Sequence, residues 1–305
     1  MTVAEITKLW MIEKEKQVKI SSFSAYMGLI DNHILPVFGS MEEVPEKDVQ
    51  AWVYDKLNNN ALSVRSVRDI LICFKMILKF GSKHNFIKHE GFDIVFPTAS
   101  RVRTKLETLS KSDYNKLTAY LFDNFSFLNV GLLISLYTGI RIGEVCAMKW
   151  NDIDMDKGLF TIEKTLQRIY IFDKEKQKKR TILVEDTPKT SNSYRDIPIQ
   201  KDILRLFRSI KKIIKDENYV LTNTTKPTEP RTFRNHFYRI LDKLGISHIK
   251  FHGMRHTFAT KCIEGGADIK TTSVLLGHSN VSITLNTYVH PNEEQKRNII
   301  NKIFK

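Results

Sequence analysis

The spacing of apolar residues over positions 2–84 constrains the fold of this chain more than any other sequence feature. Apolar side chains recur there at helical intervals, first at Val3, Ile6, Leu9 and Trp10. Pro36 is expected to end a second helix that starts at Ser21, and a third helix follows Pro45. Ser63 is placed to cap a long fourth helix. Four amphipathic helices must bury their apolar faces against one another, so the pattern predicts a small four-helix domain over residues 1–97.

Residues 98–108 separate this predicted bundle from the rest of the chain. The surrounding stretch FPTASRVRTKLETLS contains a proline, small polar residues and the cations Arg101, Arg103 and Lys105, but it shows no apolar periodicity. Such a composition predicts an extended basic linker. Because 305 residues exceed the usual size of one domain, we expect a second folded domain over residues 109–305.

The second domain should combine helices with a small sheet. Helical patterns cover Ser110–Asp123, Leu128–Tyr137 and Arg141–Lys149. Between residues 153 and 199 the segments LFTIEKTLQRIYIF, RTILV and YRDIPI are typical of strands, and polar turns separate them. Helical spacing then returns from Asp202 and over Thr232–Leu244, Met254–Glu264, Ile269–Leu276 and Asn280–Val289. The predicted fold class is therefore mainly α with a small antiparallel β-sheet.

The charge balance favours a polyanionic partner. Lys and Arg number 48 against 34 Asp and Glu, a formal net charge of +14, which should attract nucleic acid or an acidic membrane surface. Of the two, nucleic acid is favoured. No apolar run approaches the length of a membrane span, so we expect a soluble protein. Cys73, Cys146 and Cys262 are far apart and lie in apolar helical patterns, which indicates buried thiols in a reducing compartment such as the cytoplasm.

Three short segments carry the residue types needed to break a phosphodiester. That reaction requires a nucleophile, donors to the non-bridging oxygens and an acid for the leaving oxygen. TGIRIGE contains Arg141 at a predicted helix start, and HGMRHTFAT contains His252 and Arg255. LLGHSNVSITLNTYVH contains His278 and Tyr288. A phenol with a pKa of about 10 is a poor nucleophile, so Tyr288 would need the cations of the other segments around the phosphate.

A zinc site is the alternative for one of these segments. His252 and His256 are spaced like the paired ligands of zinc proteases, but Gly253–Arg255 lack the glutamate that serves such a site as base. The Arg255 side chain would also repel a metal ion. The sequence contains no GxxxxGK[ST] phosphate loop and no paired-carboxylate cluster for two magnesium ions. We therefore expect neither a metal nor another cofactor.

The order and content of the three segments resemble the catalytic boxes of the tyrosine recombinases, the phage integrase family. The segment SSFSAYMGLIDNHILPVFG resembles the family's N-terminal core-site DNA-binding domain, so the resemblance covers nearly the whole chain. It implies a SAM-like four-helix core-binding domain followed by an α+β catalytic domain. It also implies a site-specific recombinase that cleaves and rejoins duplex DNA through a 3′-phosphotyrosine, integrating, excising or inverting a DNA segment.

The resemblance also implies a role for each candidate residue. Arg141 and Arg255 would clamp the scissile phosphate, and Glu144 would support Arg141. His252 would assist proton transfer, His278 would donate to a non-bridging oxygen, and Tyr288 would attack. Lys189, directly before the strand TSNSYRDIPI, would protonate the leaving 5′ oxygen, although lysines are common in this region. The candidate DNA-binding residues are Arg65, Arg68, Lys75, Arg101, Arg103 and Lys105, although the polar face of the fourth helix is more typical of a surface that faces water.

The expected partners follow from the same resemblance. They are double-stranded DNA with inverted-repeat core sites, three further copies of the chain in a tetramer, and accessory DNA-bending proteins. The C-terminal segment NEEQKRNIINKIFK would dock on a neighbouring protomer as an exchanged helix, or alternatively on its own domain, through Ile299, Ile300, Ile303 and Phe304. The implied setting is a bacterial or phage-encoded, nucleoid-associated protein of a mobile genetic element. Longer integrases carry an arm-binding domain ahead of the four-helix segment, so the chain is either a short recombinase or lacks that regulatory end.

Two further functions compete with recombination. One is a DNA-binding regulator without catalysis, which the presence of all six candidate catalytic residues disfavours. The other is a type IB topoisomerase, which would share the phosphotyrosine but relax supercoils without exchanging partners. The two-domain plan and the compact size favour recombination.

Overall fold

A computed structural model describes residues 1–59, 62–97, 106–173, 178–187, 193–288, 297 and 300–301. Two compact units make up the chain. The first comprises Met1–Arg103 with Ile169–Ile182, and the second comprises Thr104–Arg168 with Leu183–Lys305. The fold is mainly helical with a small antiparallel sheet, so the predicted fold class is confirmed. Most of the predicted linker, residues 98–105, lies outside the described residues.

The first unit contains the predicted helices. They are α1 (Val3–Glu15), α2 (Ile20–Leu29), α3 (Leu35–Phe38), α4 (Glu46–Asn58) and α5 (Val64–Lys83). The Ser63 side chain accepts a hydrogen bond from the Ser66 amide and so caps α5, as the sequence predicted. The core joins aromatic side chains from three helices: Phe38 of α3 stacks on Phe74 of α5 and meets Trp52 of α4 edge-on.

The expectation that Pro36 ends the second helix is wrong. A π-helical turn spans Ile30–Ile34, and the Leu35 amide bonds back to the Ile30 carbonyl. Pro36 then lies in the first turn of α3, where a residue needs no amide hydrogen, so the helical run continues to Phe38.

The helices of the second unit surround a single apolar core. They are α6 (Lys111–Asp123), α7 (Phe127–Thr138), α8 (Ile142–Ala147), α9 (Lys201–Ile210), α10 (Pro230–Leu244), α11 (His252–Glu264), α12 (Ile269–Leu276) and α13 (Val281–Tyr288). Helix α8 is shorter than predicted, because Met148 is extended and a 3-10 turn follows at Trp150–Asp152. Trp150 is 2% exposed and packs edge-on against Phe207 of α9.

The strands form two sheets rather than the one predicted. They are β1 (Ile153–Asp154), β2 (Leu159–Ile162), β3 (Thr165–Asp173), β4 (Lys178–Asp186) and β5 (Arg195–Pro198). Strand β2 pairs antiparallel with β1 and β5, whereas β3 pairs with β4 in a separate two-stranded sheet. In β5 the buried positions alternate with exposed ones, which places Arg195 on the same inward face as Ile197. Within the described ranges, no helix is both long and apolar enough to span a membrane.

Candidate active site

The turn between α7 and α8 positions the first candidate arginine. Gly139 ends α7 in the left-handed conformation, with φ of 63°, and Arg141 begins α8 as its N-cap. The backbone amide and the guanidinium of Arg141 each donate to the Glu144 carboxylate at 2.8 Å. The Arg141 side chain remains 39% exposed. Glu144 therefore holds the Arg141 backbone and side chain, while the guanidinium remains partly exposed.

Glu144 has a second guanidinium partner that the sequence did not reveal. Both terminal nitrogens of Arg195 donate to the Glu144 carboxylate, at 2.9 and 3.3 Å, and both side chains are 3% exposed. Burial by itself would raise the pKa of Glu144, but the hydrogen bonds and charges of Arg195 and Arg141 outweigh it and hold the pKa below its usual range. Glu144 is thus a buried carboxylate shared by two arginines.

The C-terminal end of α12 collects three guanidinium groups. Arg195 Nε donates to the carbonyl of Leu275 at 2.8 Å, and Arg255 Nη2 donates to that of Leu276 at 2.7 Å. Arg141 Nη2 completes the series at the next carbonyl, that of Gly277, at 3.1 Å. The last carbonyls of a helix lack partners within the helix and carry the negative end of its dipole, so cations are favoured there.

Arg255 is the most deeply buried of the three. It is 2% exposed, and its Nη1 also donates to the Gly139 carbonyl at 2.9 Å. Burial, followed by repulsion from Arg141, lowers its pKa to about 9, so it remains charged at neutral pH. Its buried Nε has no hydrogen-bond partner among the described residues. Three guanidinium groups around the Glu144 carboxylate leave a net charge of about +2, which suits an anion.

Two candidate histidines border this cluster. His278 follows Gly277, which has φ of 64°, and its Nδ1 lies 2.8 Å from the hydroxyl of the fully buried Thr284. Burial and the charges of Arg255 and Arg141 lower the pKa of His278 to about 4. His252 begins α11 and is exposed, yet shielding by neighbouring protein atoms and the charge of His256 lower its pKa to about 4 as well. Both rings are therefore neutral at pH 7.

The candidate nucleophile lies at the end of α13. The Tyr288 hydroxyl is 2.6 Å from Nδ1 of His256, with the two ring centroids 5.6 Å apart. Burial raises the pKa of Tyr288, and the charge of Arg255 partly opposes that effect. The His256 ring in turn meets His252 edge-on, with centroids 4.6 Å apart.

The structure thus brings most of the predicted site together. Hydrogen bonds and charge interactions join Arg141, Glu144, Arg255, His278 and His252 to one cluster, and Tyr288 enters it through His256. Lys189 lies outside the described residues. The sequence interpretation missed Arg195, Thr284 and His256 as members of the site. Arg195 could have been noticed as an inward-facing arginine in a β-strand, and His256 as the second histidine of HGMRHTFAT. No sequence signal pointed to Thr284.

The other predicted residues are only partly described. Arg65 and Arg68 are exposed on α5, and the Arg68 guanidinium lies 4.8 Å from the centroid of the Phe96 ring. Lys75 is half-buried and donates to the Phe92 carbonyl at 2.9 Å. Outside the described residues lie Arg101, Arg103, Lys105, Ile299, Ile303 and Phe304, whereas Ile300 is exposed.

The described residues contain no group of three or more His, Cys, Asp or Glu side chains placed to hold a metal ion. The zinc alternative for His252 and His256 therefore finds no third ligand of these types among them, and His256 instead contacts Tyr288.

Sequence comparisons identify the family. A sequence model of the phage integrase family matches residues 107–295, and a model of the N-terminal SAM-like domain of phage integrases matches residues 2–55. The chain is 27% identical to a tyrosine recombinase XerC-like protein of Caldanaerobacter subterraneus subsp. tengcongensis, covering 98% of this chain and 82% of the relative. It is 22% identical to the ICEBs1 integrase of Bacillus subtilis, covering 88% and 74%.

Solved structures share the fold. The Tn1549 transposon integrase, determined in complex with transposon right end DNA, superposes with a TM-score of 0.77 at 20% identity over 100% of both chains. A lambda integrase tetramer bound to a Holliday junction gives a TM-score of 0.64 at 18% identity over 96% of this chain and 80% of that one. The family model matches more than half of this chain, which therefore belongs to the phage integrase family of tyrosine recombinases.

Proposed function

We propose that this protein is a site-specific recombinase that cleaves and rejoins duplex DNA through a covalent bond between Tyr288 and a DNA phosphate. One observation carries the residue-level proposal. Three guanidinium groups meet at the end of α12, one residue before His278, and the Tyr288 hydroxyl lies within the same cluster of interacting side chains. Membership of the family supports the reaction class.

The arginines would serve the phosphate in different ways. Arg141 is partly exposed and could place its planar guanidinium against two non-bridging oxygens. Arg255 would contribute a buried positive charge close to the phosphate. His278, held through Nδ1 by Thr284, would donate from its other ring nitrogen. Because these groups are fixed before DNA arrives, they would stabilise the extra charge of the transition state without reorganising.

The bond changes follow from this arrangement. Tyr288 Oη would attack the phosphorus and form the phosphotyrosyl ester, while the bond from phosphorus to the 5′ oxygen breaks. Lys189 would supply the proton to that leaving oxygen, and His252 would assist proton transfer. The ester retains the energy of the broken bond, so attack by a 5′ hydroxyl of a second strand reverses the chemistry without a nucleotide, metal or other cofactor.

The DNA partner and assembly are part of the proposal. We expect inverted-repeat core sites bound by four copies of the chain, with the C-terminal segment exchanged between protomers and DNA-bending proteins assisting. The similar fold of the lambda integrase tetramer on a Holliday junction supports this assembly. The proposed domains remain residues 1–97 for core-site binding, 98–108 as basic linker and 109–305 for catalysis, in a cytoplasmic, nucleoid-associated protein. The net charge of +14 favours DNA contact, which we assign to Arg65, Arg68, Lys75, Arg101, Arg103 and Lys105.

The decisive experiment traps the covalent intermediate. The protein is incubated with duplex fragments that flank its own gene, denatured with detergent, and the protein-linked fragments are sequenced. A duplex nicked beside the mapped site then prevents rejoining and accumulates the adduct. Wild type should form the adduct and Tyr288→Phe should not, whereas the exposed-tyrosine control Tyr194→Phe should match wild type. An adduct formed equally by Tyr288→Phe refutes the assignment of the nucleophile.

A further inference from the structure

The contact between Tyr288 and His256 is the shortest polar contact of the proposed nucleophile. Their reacting atoms, Tyr288 Oη and His256 Nδ1, are 2.6 Å apart. Both side chains are half-buried, so the bond lies largely away from bulk water. His256 follows Arg255 directly on α11, and the buried Arg255 fixes that part of the helix through the carbonyls of Gly139 and Leu276. The imidazole is therefore held in place by the same contacts that form the phosphate site.

The surroundings of the two side chains shift both of their pKa values. Burial, followed by the positive charge of Arg255, lowers the pKa of His256, and the Glu107 carboxylate opposes this only in part. Burial raises the pKa of Tyr288. At neutral pH a neutral phenol thus faces a neutral imidazole. A neutral phenol can donate or accept a hydrogen bond, so Tyr288 can donate its proton to Nδ1 in the His256 tautomer whose ring hydrogen is on Nε2.

We propose that His256 is the direct proton acceptor for Tyr288 during strand cleavage and the proton donor to it during rejoining. The proposal rests on the proposed function and deepens it. As Tyr288 Oη bonds to phosphorus and the 5′ oxygen departs, the phenolic proton moves to His256 Nδ1. When a 5′ hydroxyl later attacks the phosphotyrosine, the proton returns from His256 to the departing phenolate. Cleavage also transfers a proton from Lys189 to the departing 5′ oxygen, and rejoining reverses both transfers, so no external acid or base is consumed.

This assignment changes the part played by His252. The sequence assigned proton transfer to His252, but His256 is the imidazole in hydrogen-bond contact with the tyrosine hydroxyl. The His252 ring lies edge-on to His256, with an interplanar angle of 89° and centroids 4.6 Å apart. His252 is also exposed, which leaves its ring accessible to solvent or DNA.

Two substitutions of His256 distinguish acceptance of the Tyr288 proton from a hydrogen bond that only holds the tyrosine in place. His256→Ala removes both functions, whereas His256→Asn keeps an acceptor oxygen near the position of Nδ1 but cannot take up a proton. Single-turnover cleavage of the nicked duplex should slow by about 100-fold in both variants, because a positioned base contributes roughly 100-fold or more. A wild-type rate for His256→Asn would overturn proton acceptance. Equal DNA affinity in a mobility-shift assay shows that each variant is folded. If the Ala variant does not fold, the milder Asn variant alone tests the proposal.

A sulfur substitution at the leaving oxygen locates the defect along the reaction. A bridging 5′ sulfur leaves without needing a proton, because a thiol is far more acidic than an alcohol. Such a substrate should restore cleavage by Lys189→Ala, which acts on the leaving group, but should leave His256→Ala slow. Restoration of His256→Ala would place His256 on the leaving-group side and overturn the proposal.

The wild-type arm separates the two proposals. If wild type forms no adduct, both proposals fail. If wild type forms the adduct and Tyr288→Phe does not, the proposed function stands, and an unchanged rate in His256→Ala overturns only the role of His256.

Discussion

Replacement of Arg195 tests how the buried carboxylate holds the site together. Arg195→Ala removes two donors from Glu144 and leaves the carbonyls of Leu275 and Ser193 without this partner. Removing one partner of a buried ion pair costs about 3–5 kcal/mol, because the remaining charge stays buried. Arg141 still donates to Glu144 at 2.8 Å, so we expect the lower end, about 3 kcal/mol of unfolding free energy.

An exposed pair on α9 provides the matched control. Arg205 Nη1 donates to Asp202 at 2.8 Å, nearly the same distance as in the buried pair, but the two side chains are 77% and 53% exposed. Arg205→Ala should therefore cost less than about 1 kcal/mol. Because the N···O distances of the two ion pairs are similar, the difference between the two Arg→Ala variants measures the effect of burial.

A single fluorescent reporter makes the measurement specific to the second unit. Trp10 and Trp52 belong to the core of the first unit, whereas Trp150 belongs to that of the second. With Trp10→Phe and Trp52→Phe in every chain, urea unfolding followed by fluorescence reports on Trp150 alone. The reasoning is refuted if Arg195→Ala and Arg205→Ala shift the unfolding free energy by the same amount at an unchanged m value.

Three other outcomes are expected. A Cβ on Gly143 would clash with Thr165 Oγ1 and lie 2.8 Å from the carbonyl oxygen of Leu166, so Gly143→Ala should lower stability by about 1–3 kcal/mol in urea unfolding. Gly28→Ala, with no atom within 4 Å, should not lower it. Thr284→Val removes the bond that orients His278, and cleavage of the nicked duplex should slow about 2–10-fold, while a wild-type rate would contradict that role. The pKa of His278 is about 4, and a bound phosphate should raise it, so DNA binding at pH 5 should take up protons; calorimetry in buffers of different ionisation enthalpy should show a smaller uptake for His278→Asn.

The sequence predicted those elements whose cause is local. Helix α5 has a regular apolar face and the Ser63 cap, and both follow from neighbouring residues. Pro36 misled the prediction because the π-helical turn that accommodates it has no sequence signal of comparable strength. The division of the strands into two sheets was also missed, because pairing of β2 with β5 rather than with β3 depends on contacts between residues distant in sequence.

The residues of the candidate site also divide into those with a local sequence signal and those without one. Arg141, Arg255 and Tyr288 became candidates because the three segments that contain them resemble the catalytic boxes of the tyrosine recombinases. Arg195 carries no such mark: an inward arginine in a short strand is unfavourable until Glu144 and the Leu275 carbonyl are known to lie opposite. Only the folded chain supplies those partners, so its role could not be inferred from spacing.

The end of α12 explains why these distant segments must act together. A helix terminus offers successive unpaired carbonyls, and here Leu275, Leu276 and Gly277 each accept from an arginine of a different element. Each carbonyl accepts along a direction set by the helix, so the three guanidinium groups are placed relative to one another by one rigid backbone segment. Gly277 then turns the chain in a left-handed conformation and delivers His278 beside them. A shift of this terminus would displace all four groups at once, which makes the geometry of α12, rather than any single arginine, the feature on which a phosphate site depends.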